Sequence, residues 1–548
     1  MSETAHKLFH GARFTTFDPE APVASALAVD RGGMIMAAGT AAELQGLCTA
    51  DTQYVHLGDR WATPGFFDCH LHMLGLGLYL FQVDLRPPET GSVDEIVRKL
   101  TERLHAEPDS KAVLGNRYDQ NRMRERRHPT RHDLDRVATD RPVRVEHTSG
   151  HAAVVNSCGL RLLGIGASSP DPTGGEIVRD ERGEPTGVLL ETAAWNNMER
   201  IVPPATREQA VDALSGAAAY LLQRGITSAG DAATAPDEVA WYAAAAESRV
   251  LGVRVNLMMD WPAVCRQSAG DDAPKPAEMW NGGPEGEHWL HIGQAKLFSD
   301  GAITTRTCWL NEPFADSGGN CGLPLHPPDV LKEYIFRAHR AGWQIATHAI
   351  GDRAIDLVLR CYAEAQRAHR RPNPGHRIEH CMLLTDDLIS RLRRQRVWSI
   401  GQPEFLHALG DAYVAALGEK RATLLSPYAS LRDRGVLQAF SSDCPVVPGA
   451  PLDGIRAAMQ RATHSGRILN TEERIDAETA FRLYTVAAAA ATLTHKQRGN
   501  LARGRAADFT VFTADPFATP AAEWEQVQVA ATVIGGEVRF AAKHVDLT

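Results

Sequence analysis

Short apolar runs alternate with amphipathic stretches through the middle of this chain. Eight runs have the length and character of buried parallel strands: Phe66–Cys69, Thr227–Gly230, Val253–Met258, Gln294–Phe298, Gln344–Thr347, Arg377–Glu379, Val397–Ile400 and Leu437–Phe440. Between most of them lie stretches with apolar residues at helical spacing, among them Arg207–Arg224, Pro328–Ala341 and Asp352–His369. Eight strands alternating with helices predict an α/β fold, a (β/α)8 TIM barrel over residues 64–498. One gap breaks the rhythm. Leu71 and Ile226 are separated by about 150 residues, far beyond a plain strand-to-helix connection. Residues 73–225 therefore read as an inserted subdomain, with strand signals of its own at Ala112–Asn116 and Val143–Glu146 and a Gly/Pro-rich loop at Ser168–Glu176.

The ends of the chain have a different rhythm. Lys7–Thr15 and Ala26–Asp30 read as strands, with Arg31-Gly32-Gly33 turning into Met34–Ala38. At the other end Asp508–Phe512 is an apolar strand, and Val527–Phe540 is two apolar runs around Gly535-Gly536. Residues 1–63 and 499–548 are expected to build one small β-sandwich domain together.

Composition narrows the function classes. The 548 residues are 44% hydrophobic and 23% charged, with a net charge of −9. This is ordinary globular composition, and the mild acidity argues against a nucleic-acid binder. The basic run Arg122–Arg127 reads as a solvated face. No stretch approaches the ~20 apolar residues of a membrane span; the greasiest, Met73–Val83, includes two glycines. The N-terminus MSETAHKLFHG lacks a basic region followed by an apolar one. The nine cysteines include no CxxC pair, which suits reduced thiols. The expectation is a cytoplasmic protein with neither a nucleic-acid nor a membrane partner.

Chemistry concentrates at the ends of the barrel strands. In Asp68-Cys69-His70-Leu71-His72, two histidines two residues apart share one face of a strand. Alone, such a pair arises by chance in a chain with 22 histidines. Thr347-His348 and Glu379-His380 each place another histidine at a strand end, Phe440–Asp443 adds an aspartate, and Gln294-Ala295-Lys296-Leu297-Phe298 holds a lysine inside an apolar strand. A single histidine of this kind would be a hydrogen-bonded core residue. Four histidines, an aspartate and a lysine at the rim where barrel enzymes keep their active sites point to a metal centre. There is no G-x-S-x-G elbow, P-loop or G-x-G-x-x-G turn.

The phrases TPGFFDCHLH, SGHAAVVNS, GGEIVRDERGEPTGVLLE, GITSAGDA, KLFSDGAITTRT, THAIGDRAIDLVL, RIEH, SSDCPV and RGNLARGRAADFTVF run in order over nearly the whole chain. As a set they resemble the amidohydrolase superfamily, most closely the amidohydrolase-3 group that includes N-substituted formamide deformylases. The resemblance implies the barrel and terminal β domain already read from the strands. It implies two divalent metal ions per chain, one held by His70, His72 and Asp443 and the other by His348 and His380. Lys296 matches a lysine that in many members is N6-carboxylated and bridges the ions. A cationic lysine beside two cations would be repelled, whereas a carbamate supplies two anionic oxygens. The alternative for Lys296 is a snorkelling or ion-paired lysine. Imidazole and carboxylate suit zinc; iron, manganese or cobalt would fit the same ligands.

The implied chemistry is hydrolysis of a non-peptide C–N bond in a small amide, best an N-substituted formamide. Metals at such a site lower the pKa of a bound water towards about 7, and Asp443 is the expected proton shuttle. His151, in Ser149-Gly150-His151 of the insertion, is the candidate to orient substrate or stabilise the oxyanion, or else is structural. Asp300 and Arg306 follow the fourth strand and are candidate substrate contacts, or a loop-ordering ion pair. Tyr118, Trp309 and Phe405 are candidate pocket aromatics, or packing. Glu379 is read as structural, pointing away from the metals. Rival readings are a cyclic-amide or carbamate hydrolase, a deaminase, and a non-catalytic regulatory protein. Mononuclear deaminases of the superfamily usually lack the lysine and carry His-x-x-Glu after strand five. Lys296 and Gly351 disfavour that reading, and the full ligand set disfavours a regulator. The expected assembly is a homodimer.

Overall fold

The computed structural model describes residues 4–268, 274–276, 279, 289–543 and 545. Eight strands form one parallel sheet in chain order: β1 Phe66–Leu71, β2 Ile226–Thr234, β3 Arg254–Asp260, β4 Leu290–Phe298, β5 Gln344–Ala349, β6 Arg377–His380, β7 Trp398–Gly401 and β8 Gln438–Phe440. Every expected strand is present, displaced at its ends by a few residues at most. β1, β5, β6 and β8 are buried along their full length, as a sheet covered on both faces requires. The helices Arg207–Leu222, Pro328–Arg340 and Asp352–Ala368 lie where their periodicity placed them. Thr206 caps the first by accepting from the Gln209 amide, and Pro328 opens the second.

The barrel closes between β8 and β1 through individual bonds. The Asp443 amide donates to the His70 carbonyl at 2.8 Å and the His72 amide to the Cys444 carbonyl at 2.7 Å. The Ser442 amide donates to Asp68 Oδ1 at 3.0 Å. This seam lays the residues following β8 directly beside the end of β1.

The two chain ends join in a seven-stranded sheet. Its order is Glu537–Ala541, Val529–Ile534, Phe509–Phe512, Gln53–Pro64, Lys7–Thr15, Val23–Val29 and Ile35–Gly39. Phe9 and Phe14 pack edge-on against Phe509 at 5.1 and 5.6 Å between centroids, fastening the N-terminal strands to the C-terminal ones. The chain passes from this sheet into β1 through Gly65, where a Cβ would lie 2.2 Å from the Thr227 side chain. Arg254, opening β3, clamps Asp508 with bonds of 2.7 and 3.0 Å, a second tie between barrel and terminal sheet.

Between β1 and β2 a six-stranded sheet is inserted, built from six strands between Val83 and Glu191, with its own core around Leu85, Ile96, Leu100 and Val145. The flanking helices Met73–Tyr79 and Arg207–Leu222 contribute instead to the barrel core. No helix among the described residues is long and apolar enough to cross a membrane.

Candidate metal centre

Strand alternation and the closing seam converge on one point. His70 and His72 leave the end of β1 on the same side. Their Nε2 atoms lie 3.4 and 3.2 Å from Asp443 Oδ1. Asp443 adopts a left-handed backbone, φ 61°, at the turn after β8, which aims its carboxylate back at β1. The ligand atoms of these three residues all lie within 4.8 Å of one another.

The other side chains complete a ring. His348 at the end of β5 and His380 at the end of β6 have ring centroids 4.4 Å apart, and His380 is 5.1 Å from His70. Lys296 lies on β4, fully buried, with its Nζ 4.6 Å from the centre of the Phe298 ring. Phe405 backs the centre, parallel to the His380 ring at 6.2 Å.

Three histidines are anchored through Nδ1, which leaves Nε2 for the centre. His72 bonds the Ala232 carbonyl at 3.1 Å, His380 bonds Gln402 Oε1 at 2.9 Å, and His70 bonds Glu379. Such outer partners fix ring orientation and tautomer. His348 instead turns Nε2 to the Gly301 carbonyl at 3.2 Å.

Electrostatics favour a cation. Burial drives the His380 imidazole down to about 3 and holds His348 well below its ordinary value, so both rings are neutral. Burial opposes the charge on Asp443, but His70 and His72 keep it well below the usual carboxylate range. Burial lowers Lys296 to about 8 against the pull of Glu379 and Asp443. Asp443 Oδ1 and Lys296 Nζ are buried without a hydrogen bond. Neutral imidazoles, an ionised carboxylate and two polar atoms lacking partners form a donor set that a divalent ion satisfies.

The insertion reaches this centre through His151, whose ring centroid is 5.2 Å from that of His348. Its Nδ1 bonds Glu191 Oε2 at 2.6 Å. Burial lowers its proton affinity, but the Glu191 carboxylate outweighs burial and raises it. The loop bearing His151 is tied across the barrel mouth by Thr148 Oγ1, which donates to the Val446 carbonyl at 2.9 Å.

Several expected substrate contacts are engaged elsewhere. Asp300 is completely buried and accepts from the amides of Trp309, Gly351 and Ile350 at 2.8, 2.9 and 3.1 Å; it orders backbone directly beside the centre, with its Oδ1 3.6 Å from His348 Nε2. Arg306 pairs with Asp316 at 2.5–3.0 Å and donates to the carbonyls of Ile303 and Thr304, which makes it a loop-ordering ion pair. Tyr118 is buried in the core of the insertion with its hydroxyl 2.8 Å from His128 Nδ1. The half-buried Trp309 ring packs 4.3 Å from the Arg353 guanidinium.

Two residues gain roles the sequence did not suggest. Glu379 holds His70 from behind, itself gripped by Arg377 at 2.5 and 2.8 Å. Glu191 holds His151. The only sequence signal for either was a carboxylate at the end of an apolar run.

The chain is similar to known hydrolases over nearly its full length. The amidohydrolase family model matches residues 53–540. The YtcJ protein of Bacillus subtilis, named as an amidohydrolase, is 31% identical over 546 residues, covering 97% of this chain and 99% of that one. The N-substituted formamide deformylase of Arthrobacter pascens is 28% identical over 557 residues, covering 98% and 99%. The solved structure of an uncharacterised metal-dependent hydrolase from Pyrococcus horikoshii shares the fold, with a TM-score of 0.75 and 24% identity over 94% of this chain and 99% of that one. With the family model spanning most of its length and a relative 31% identical over nearly the whole chain, this chain belongs to the amidohydrolase family of metal-dependent hydrolases.

Proposed function

We propose that the enzyme hydrolyses the C–N bond of a small non-peptide amide, with an N-substituted formamide the leading substrate class. The single observation that carries this reading is the convergence of His70, His72 and Asp443 beside Lys296, His348 and His380 at the C-terminal rim of the barrel. His70, His72 and Asp443 would hold one divalent ion, and His348 and His380 a second. Zinc is the ion of choice for imidazole and carboxylate donors. When bound, such ions supply Lewis acidity and lower the pKa of a coordinated water to about 7.

The chain's own residues do the rest. Lys296, lowered to about 8 by burial, has an appreciable neutral fraction near pH 8. A neutral Nζ can add to carbon dioxide, forming an N–C bond and releasing a proton. The resulting carbamate would give the partnerless Nζ position two anionic oxygens between the histidine pairs. Asp443, whose Oδ1 would face the ion between His70 and His72, takes the proton of the attacking water on its other carboxylate oxygen and passes it to the leaving amine. His151, beside His348, orients the substrate at the barrel mouth. The similarity to a named formamide deformylase supports the substrate class.

The test is a turnover screen of formamides, larger amides, ureas and lactams with zinc-loaded protein. Formamides with one N-substituent should be hydrolysed best. Preference for lactams or ureas would move the substrate class, and turnover of none of the four would remove the amide-hydrolase reading.

A further inference from the structure

Glu191 ends the inserted strand Pro185–Glu191, 40 residues beyond His151, and its side chain is completely inaccessible to solvent. It grips His151 twice. Its amide donates to the His151 carbonyl at 2.9 Å, and its Oε2 lies 2.6 Å from the ring Nδ1. The other oxygen, Oε1, accepts from the Thr307 hydroxyl at 2.5 Å. Thr307 is itself oriented, because its Oγ1 accepts from the Ala302 amide at 3.0 Å. Its Oγ1 also lies 2.6 Å from the Thr305 hydroxyl; because a carboxylate only accepts, the hydrogen between Thr307 and Glu191 belongs to Thr307.

The slot is shaped for this carboxylate. A Cβ on Gly301 would lie 2.2 Å from Glu191 Oε1, so the loop after β4 leaves the space open. Glu191 adopts φ 53°, ψ −126°, a backbone region that costs a side-chain-bearing residue strain. Strain of this kind persists where the surroundings impose it, and it gathers at functional sites. Trp195 closes the other side of His151: its ring is 5.5 Å away and its Nε1 donates to the Gly150 carbonyl at 2.8 Å.

A carboxylate only accepts hydrogen bonds, so a ring nitrogen 2.6 Å from it must carry the hydrogen. We propose that Glu191 is a positioning residue for catalysis, fixing His151 in the tautomer protonated on Nδ1 and presenting Nε2 to the substrate at the barrel mouth. The proposal rests on the reading of this centre as an amide-hydrolase site. It adds a proton-holding dyad, supplied wholly by the insertion and braced on the barrel through Thr307.

Glu191→Gln tests it. With the Thr307 hydroxyl donating to the glutamine oxygen, the amide NH2 faces Nδ1 and forces it to accept. In 15N-histidine NMR of the zinc-loaded protein, the His151 signals, assigned by their absence in His151→Ala, should report a protonated Nδ1 in the wild type. They should switch to a protonated Nε2 in Glu191→Gln, at unchanged metal content and melting temperature. On any amide the wild type turns over, Glu191→Gln should lower kcat by about 10²–10³-fold, the scale of losing one oriented catalytic group, with KM little changed. The same substitution in a His151→Ala background should cost less than about twofold, because the two residues act as a unit. Glu191→Asp, which keeps the charge but withdraws it by one methylene, should show the same coupling should Glu191→Gln fail to fold. An unchanged tautomer, or losses that simply multiply, overturns the proposal. A wild type that hydrolyses no amide refutes the hydrolase reading instead, and the NMR experiment still decides the tautomer.

Discussion

His70 rests its Nδ1 on the Glu379 carboxylate, and Arg377 grips that carboxylate at 2.5 and 2.8 Å. All three side chains are buried. Burial opposes the charge of Glu379, but Arg377 and His70 hold its carboxyl well below the ordinary range. The Nε2 of His70, which faces Asp443, is thus fixed from 309 residues away in sequence. Glu379→Gln keeps the shape and removes the charge. It should weaken metal affinity by about 10–100-fold, the usual effect of losing an outer partner. Chelator competition measures this directly, and wild-type affinity would reduce Glu379 to packing.

Lys296→Ala removes the buried amine beside the histidines. Hydrolysis should fall by at least about 10²-fold, and short carboxylic acids added to the assay should restore part of it by supplying the missing anionic oxygens. Full activity without additive would show that the lysine does not bridge.

Arg306 is expected to matter little to chemistry. Its guanidinium is committed to Asp316 in a partly exposed pair, and such pairs contribute about 0–1 kcal/mol. Arg306→Ala should leave kcat/KM within about threefold and lower stability by about 1–3 kcal/mol, because its bonds to the Ile303 and Thr304 carbonyls go with the pair. A large rise in KM would restore it as a substrate contact.

The Arg254–Asp508 pair makes stability depend on pH. Burial disfavours the charge on Asp508, but Arg254 outweighs it and holds the carboxyl below its ordinary 3.8. The folded chain therefore takes up this proton later than the unfolded one. The stabilisation is complete above 3.8 and is lost as pH falls through the lower folded value. Asp508→Asn should cost about 3–5 kcal/mol at pH 7, as expected for breaking a buried pair, and progressively less at pH 3 and below. Urea unfolding at both pH values checks this; an equal cost at each would contradict it.

Much of this molecule was legible in its sequence, for a physical reason. Parallel barrel strands are buried on both faces, so they appear as apolar runs, and polar residues at their ends stand out. His70, His72, His348, His380 and Asp443 were visible on that ground. The same signal marked Asp300, which lies 3.6 Å from His348, but it did not tell that this carboxylate is also held by three backbone amides. Tyr118 was misplaced because the topology of the inserted sheet is not written in its periodicity. Glu191 and Glu379 stayed hidden because their partners are remote in sequence, and only the closed barrel and the docked insertion bring them together. Gly301, which opens the slot for Glu191, carries no local signature at all.

The account stands most directly on metal dependence. Elemental analysis of protein purified without chelator should find close to two divalent ions per chain. Stripping them should abolish amide hydrolysis, and zinc should restore it in proportion to the ions rebound. One ion per chain with full activity would favour a mononuclear centre at His70, His72 and Asp443. Undiminished hydrolysis by metal-free protein would contradict the central claim.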